Sequence, residues 1–128
     1  MILLLDTSTP VCRLLLVDGN TQFASEWQAD RMLAKDLHVW LRDRLAEHGK
    51  AWTDIKGIGA FRGPGSFTGL RIGLTVLNTL ADSLAIPIVG TSGGDWSEEA
   101  LARLRSGQND RIALPYYDRD ANITTQRK

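Results

Sequence analysis

The 128 residues of the chain are enough for one ordinary domain, which buries about two thirds of its unfolded surface without disulfide support. Fifteen Lys and Arg balance fifteen Asp and Glu, so no net charge draws the protein to nucleic acid or to an acidic membrane surface. The single cysteine, Cys12, excludes an internal disulfide, and its place in an apolar run predicts a buried, unreactive thiol. No basic signal region and no membrane-spanning run is visible, so we expect a cytoplasmic protein without a membrane anchor.

The first part of the chain predicts an antiparallel meander of three strands. Apolar runs over residues 2–6 and 11–17 are typical of strands, and a third strand is predicted over about 21–27. Asp18-Gly19-Asn20 is a strong hairpin signal between the second and third strands. The turn Asp6-Thr7-Ser8-Thr9-Pro10 joins the first two strands.

Helices then alternate with strands. Leucines at four-residue intervals from Leu33 to Leu45 predict a helix over about 32–48. Further strands are predicted over about 58–61, 87–89 and 111–114, and further helices over about 67–84 and 96–104. This alternation implies parallel crossovers, so we predict one α/β domain over residues 1–114 and a polar tail over 115–128.

The most distinctive segment is the glycine-rich loop that precedes the second long helix. Gly63 and Gly65 permit backbone angles with positive φ, and Pro64 between them fixes φ and has no N–H. The result is a rigid, tight turn, after which Ser66 or Thr68 can cap the helix with a hydroxyl. We therefore interpret these five residues as shaping the loop.

The helix predicted from Phe67 is apolar over roughly 200° of its circumference, about twice what an ordinary surface helix requires. A milder excess is visible on the helix predicted over 32–48. We therefore predict a helix-on-helix interface with another protein. Its predicted residues are Met32, Asp36, Val39, Trp40, Asp43, Phe67, Gly69, Ile72, Gly73, Val76 and Leu80. The alternative is a three-layer domain that buries both sides of these helices internally.

Three motifs together resemble the bacterial TsaB (YeaZ) family. They are the loop over residues 62–73, the Asp6-Thr7-Ser8-Thr9 turn with Cys12 just after it, and the ending Ile86-Pro87-Ile88-Val89-Gly90-Thr91-Ser92. The resemblance implies the first of the family's two lobes, a ribonuclease-H-like (actin-like ATPase) α/β fold. It has a mixed sheet with an N-terminal antiparallel meander and crossover helices.

The resemblance also implies a function. It indicates a noncatalytic scaffold subunit of the complex that installs threonylcarbamoyl on the adenosine next to the anticodon, in tRNAs that read codons beginning with A. The implied partners are the catalytic subunit TsaD, bound through the two helices, and the ATPase TsaE, with homodimer formation when the chain is alone. Contact with tRNA is expected only indirectly, and no cofactor is implied.

The family's second lobe is missing from this sequence or reduced to the segment after Asp95. We expect a naturally short form. In that form Tyr116 and Tyr117 would cap the exposed sheet edge, or the face of the first lobe on which the second lobe would dock.

A second hypothesis is a small nucleotide-binding regulatory module. Asp6, Thr7 and Ser8 lie where actin-like ATPases place a phosphate-contacting hairpin, and Gly65 belongs to the glycine loop. The competing interpretation is an ordinary turn whose side chains bond to the backbone. No Gly-Lys-Ser/Thr ends the glycine loop, so it is not a Walker loop.

Neither a metal site nor a covalent catalytic site is expected. His38 and His48 would lie about 15 Å apart along one helix, too far to share an ion. Neither Cys12 nor Ser66 can be paired with a histidine by spacing or motif. The sequence therefore predicts an accessory subunit that is not an enzyme by itself.

Overall fold

The structure, a computed structural model, describes residues 1–116 of the chain. The strands in this range are β1 (Ile2–Asp6), β2 (Val11–Asp18), β3 (Thr21–Gln28), β4 (Gly57–Phe61) and β5 (Ile88–Thr91). The helices are α1 (Leu33–Glu47), α2 (Phe67–Leu84) and α3 (Trp96–Arg105), and short 3-10 turns cover Asp30–Met32 and Trp52–Asp54.

The strands form one mixed sheet in the order β3-β2-β1-β4-β5. β1, β2 and β3 are antiparallel neighbours, with Leu4 opposite Leu15 and Leu14 opposite Ser25. β1 pairs in parallel with β4, and β4 with β5, because α1 and α2 return the chain across the sheet before these strands begin. The predicted mixed sheet, with its meander and parallel crossovers, is therefore confirmed.

Helices α1 and α2 cover one face of the sheet, and α3 covers the other. Because side chains alternate along a strand, Leu3 and Leu5 pack in the cluster under α1 and α2, whereas Leu4 packs under α3. Fully buried Leu37 of α1 and Leu77 of α2 complete the larger cluster. The smaller cluster consists of Leu4, Val17, Val89 and Ala100. Each fully buried leucine contributes about 1.5–3 kcal/mol of transfer free energy.

The prediction of a strand over residues 111–114 is wrong, because this segment pairs with no strand of the sheet. Arg111 has a φ of 69°, in the left-handed region, which interrupts an extended run. Side chains already bond the edge of β5: Asn109 Oδ1 accepts from the N–H of Ile88, and Asp110 Oδ2 accepts from the N–H of Gly90. Backbone pairing at these two amides is therefore replaced by side-chain pairing.

Other boundaries differ by a residue or two. β5 begins at Ile88, since Pro87 has no N–H to donate. α1 ends at Glu47, and His48 is its C-cap. Tyr117 and the rest of the predicted tail, residues 117–128, lie outside the described residues. Among residues 1–116, no helix combines the length and the apolar composition needed to cross a membrane.

Helix α2 ends at a left-handed residue that is not glycine. Ala85 has φ 56° and ψ 47°. Its N–H donates to Asp82 O at 3.2 Å, and the N–H of Ile86 donates to Ala81 O at 3.0 Å, the two bonds of a Schellman motif. A Cβ in this conformation costs roughly 1–2 kcal/mol. The helix end is therefore well bonded but sterically unfavourable.

Replacing Ala85 with Gly is expected to raise the free energy of unfolding by about 0.5–1 kcal/mol, because glycine adopts this conformation without steric cost. Urea denaturation followed by circular dichroism measures the change. The matched control is Ala46→Gly at an exposed position in the last turn of α1, which should lower stability by up to about 1 kcal/mol. Destabilisation by both substitutions would contradict the explanation.

Candidate functional site

The glycine loop ends in the predicted helix cap. Ser66 Oγ accepts a hydrogen bond from the N–H of Gly69 at 3.3 Å, so Ser66 rather than Thr68 is the N-cap of α2. Gly63 has a φ of 115°, and the Gly63–Pro64 peptide is cis. A Cβ on Gly63 would lie 2.8 Å from the carbonyl oxygen of Tyr116. Only glycine therefore fits this position.

The Asp6-Thr7-Ser8 turn packs directly against the loop and α2. Asp6 Oδ1 accepts from the N–H of Ser8 at 2.8 Å, and Thr7 Oγ1 donates to Gly69 O at 2.7 Å. Ser8 O accepts from the N–H of Ser66 at 2.8 Å. Thr7 and Ser8 are buried, with 4% and 7% of their surface exposed. The side chains of Asp6 and Thr7 are thus engaged in bonds to the backbone, which favours the turn interpretation over nucleotide binding.

Three glycines at four-residue intervals allow this close approach. A Cβ on Gly65 would lie 2.5 Å from Ser8 Cβ, one on Gly69 would lie 2.3 Å from Thr7 O, and one on Gly73 would lie 2.1 Å from Thr7 Oγ1. We call Gly65, Gly69 and Gly73 the glycine stripe.

The stripe corrects part of the predicted partner interface. Gly73 is buried and faces Thr7, and the missing Cβ of Gly69 points at the same residue. These two glycines therefore seat α2 on the β1–β2 turn, where Gly73 is buried and out of reach of a partner, whereas Gly69 is only partly buried. In the sequence, the four-residue spacing of the glycines was the signal of a close contact along one side of α2. The sequence did not indicate that Thr7 forms this contact.

An open apolar groove runs between α1 and α2. One part has a volume of about 370 Å³ and is lined by Ala34, Thr68, Arg71, Ile72, Thr75 and Val76. A second part of about 660 Å³ shares Thr68 and Ile72 and continues past Gly69 to Leu33, Ala29, Asp30, Arg31 and the β1–β2 turn. Met32 and Phe67, which precede α1 and begin α2, are 42% and 53% exposed. We call this depression the α1–α2 groove.

Only some of the predicted interface residues line the groove. Gly69, Ile72 and Val76 do, while half-buried Leu80 packs against the core. Trp40 stacks on Trp27 of β3 with ring centroids 5.4 Å apart, and Asp36 lies one turn earlier on the same flank of α1.

Two further predicted interface residues do not line either part of the groove. Asp43 pairs with Arg42 at 3.4 Å on the exposed surface of α1. Val39 is half-buried. The apolar periodicity of α1 thus located the helix but did not distinguish its two flanks.

Cys12 is buried, as predicted, with 1% of its surface exposed. Burial raises the pKa of its thiol to about 12, and the nearby negative charge of Asp6 adds to this effect. The ring of His48 stacks on Phe23 with centroids 3.8 Å apart. Within residues 1–116, no group of three potential metal ligands is brought together.

Comparison with known proteins relates the chain to one family. Residues 27–105 match the family model "TsaD: tRNA N6-adenosine threonylcarbamoyltransferase". The "tRNA threonylcarbamoyladenosine biosynthesis protein TsaB" of Escherichia coli is 32% identical over 130 residues, which cover 94% of this chain and 56% of that protein. The protein of the same name from Haemophilus influenzae is 29% identical, over 84% of this chain and 46% of that protein.

Solved structures agree with this relationship. The structure described as "YeaZ from Pseudomonas aeruginosa" has a TM-score of 0.67 and 36% identity, and the match covers 71% of this chain and 43% of that one. The likeness confirms the predicted actin-like, ribonuclease-H-like fold. The chain spans about half the length of the curated relatives it matches.

The glycine stripe predicts a specific loss of stability. Gly73→Ala should destabilise the protein by about 1–3 kcal/mol in urea denaturation, because the new methyl group overlaps Thr7. This loss should exceed the gain of about 1 kcal/mol that alanine brings to a helix. Gly94→Ala is the matched control, since nothing lies within 4 Å of a Cβ at that position. Equal stability of the two variants would refute the close contact.

The burial of Cys12 predicts an unreactive thiol. With a pKa of about 12, only about one thiol in ten thousand is ionised at pH 8. A chromogenic disulfide reagent at pH 8 should therefore label native protein only as fast as it unfolds. Rapid labelling of native protein, at the rate seen in urea, would show that the thiol is accessible.

Proposed function

The chain belongs to the TsaB (YeaZ) family, and on that premise we propose that it acts in the biosynthesis of threonylcarbamoyladenosine in tRNA. Its role in this proposal is that of a noncatalytic scaffold, which binds a TsaD-type catalytic subunit through helix–helix contacts. The names of the curated relatives support the pathway. The α1–α2 groove supports the mode of binding.

The exposed apolar groove is the observation that carries the scaffold role. Ile72 and Val76 form its wall on α2, and small Ala34 lies opposite on α1. Short side chains along a groove let a partner helix approach closely, at the 8–10 Å axis separation of packed helices. Met32 and Phe67 would lose their exposed surface on binding, and each large apolar side chain that becomes buried contributes about 1.5–3 kcal/mol.

The bonding of the polar residues supports a noncatalytic role. The Thr7 hydroxyl donates to Gly69 O, the Ser66 hydroxyl caps α2, and the Asp6 carboxylate closes its own turn. Cys12 is buried with a raised pKa. The catalytic chemistry in this proposal therefore belongs to the partner, which also contacts the tRNA.

The proposal includes two further associations. A TsaE-type ATPase would join the assembled pair rather than the isolated chain. With the partner absent, the groove would pair with the groove of a second copy, because a self-complementary apolar surface forms a symmetric dimer.

A charge placed in the groove should abolish binding. Val76→Glu or Ile72→Glu is expected to weaken binding of the TsaD-type subunit at least about a hundredfold, since an unpaired buried charge costs several kcal/mol. Light scattering after size exclusion gives the mass of the mixed complex, and calorimetry gives its affinity. Both side chains are only half-buried in the free chain, so the fold should survive.

The matched control is Ala102→Glu, which adds the same charge at an exposed position of α3 on the opposite face of the sheet. This variant should bind like the unmodified chain. Undiminished binding by Val76→Glu would show that the interface lies elsewhere on the chain. If the unmodified chain does not bind the TsaD-type subunit, the scaffold role itself is refuted.

A further inference from the structure

Residues 109–116 lie across the outer edge of β5, and we call this segment the strap. At its start, the N–H of Asp110 donates to Ile88 O at 2.8 Å, and Asp110 Oδ2 accepts from the N–H of Gly90 at 2.9 Å. Arg103 of α3 forms an ion pair with the Asp110 carboxylate and donates to Gly90 O at 3.2 Å. Burial would raise the pKa of Asp110, but the Arg103 and Gly90 hydrogen bonds and the nearby positive charges outweigh it and lower the pKa.

The middle of the strap is bonded to α2. Asn78 Nδ2 donates to Ala113 O at 2.9 Å, and the N–H of Ala113 donates to Asn78 Oδ1 at 2.8 Å. The amide side chain thus pairs with both backbone groups of one residue, as a neighbouring strand would. Asn78 lies about 200° around the helix from Val76. The strap therefore holds α2 on a flank distant from Val76 in the groove.

The end of the strap is bonded to the glycine loop. Arg62 Nε donates to Leu114 O at 2.7 Å, and the N–H of Tyr116 donates to Arg62 O at 2.8 Å. The guanidinium of Arg62 lies 6.0 Å from the centre of the Tyr116 ring. The next residue, Gly63, has no room for a Cβ beside Tyr116 O. One short segment thus contacts β5, α2 and the loop that begins α2.

Polar contacts rather than apolar packing hold the strap in place. Ala113 is buried at 2% exposure, but Ile112 and Leu114 are 59% and 62% exposed and Tyr116 is 41% exposed. A segment with few buried apolar contacts opens at a lower free energy than the core around it. We therefore expect the strap to open at a lower free energy than the sheet.

We propose that the strap controls the α1–α2 groove: when the strap is bonded, it fixes the glycine loop and α2 in the binding position, and when it is released, the groove loosens and binds its partner less tightly. The proposal rests on the scaffold function for its effect on affinity. Its structural part, the coupling of the strap to α2, applies to the free chain. A ligand of the exposed strap side chains would then act on the groove from a separate surface.

The test introduces the same charge on the two sides of the strap. Ala113→Asp places a carboxylate at the buried residue whose backbone pairs with Asn78, and Leu114→Asp is the matched control at the exposed neighbour. Hydrogen exchange of the free chain, measured by mass spectrometry, reports the amides of residues 66–75 and of the strap separately. Ala113→Asp should accelerate exchange in both regions about tenfold and weaken TsaD-type partner binding by a similar factor, whereas Leu114→Asp should change neither.

Faster exchange in the strap with unchanged exchange over residues 66–75 would overturn the proposal, because the strap would then cover only the edge of β5. Unchanged exchange in both regions would overturn it as well. If Ala113→Asp fails to fold by circular dichroism, Asn78→Ser replaces it, since serine is too short to reach Ala113 and adds no charge. Hydrogen exchange is measured on the free chain, without a partner. If the scaffold function is wrong, the predicted effect on binding disappears, whereas the predicted effect on exchange can still be tested.

Discussion

The close contact between Thr7 and the first turns of α2 is the constraint on which the described structure depends. Thr7 follows β1 and lies beneath a helix that begins about sixty residues later, bonded to Gly69 O. Backbone and side chain can approach this closely only where the helix lacks Cβ atoms, at Gly69 and Gly73. The contact fixes both the depth and the rotation of α2 on the sheet. The orientation of Ile72 and Val76 toward the groove follows from that rotation.

The same contact engages the polar side chains of the turn at the end of β1. In this chain the carboxylate of Asp6 and the hydroxyl of Thr7 bond to the protein backbone, and the N-terminal end of α2 covers the turn. The turn that our second hypothesis connected with phosphate binding thus supports a helix. The helix in turn presents an apolar surface, so the role we propose for the region is structural support of a protein interface.

The groove and the strap lie on different sides of α2. α1 flanks the helix on the groove side, whereas Asn78 bonds the strap on another flank. α2 is therefore held by the sheet through apolar packing and by the strap through directional hydrogen bonds. Hydrogen bonds depend on distance and angle more steeply than apolar contacts do. A small displacement of the strap would consequently change the restraint on α2 without exposing the core.

The sequence by itself determined the order and type of nearly every described element, because periodicity and turn residues act over a few neighbouring positions. Apolar spacing located Ile72 and Val76, and the hydroxyls next to the glycine loop predicted a cap from Ser66 or Thr68, of which the structure uses Ser66. Only the tertiary structure decided that Gly73 faces Thr7, that Trp40 stacks on Trp27, and that Asn78 replaces a strand partner for Ala113. Each of these contacts joins segments that are distant in the sequence, and local propensity carries no information about which distant segments come into contact.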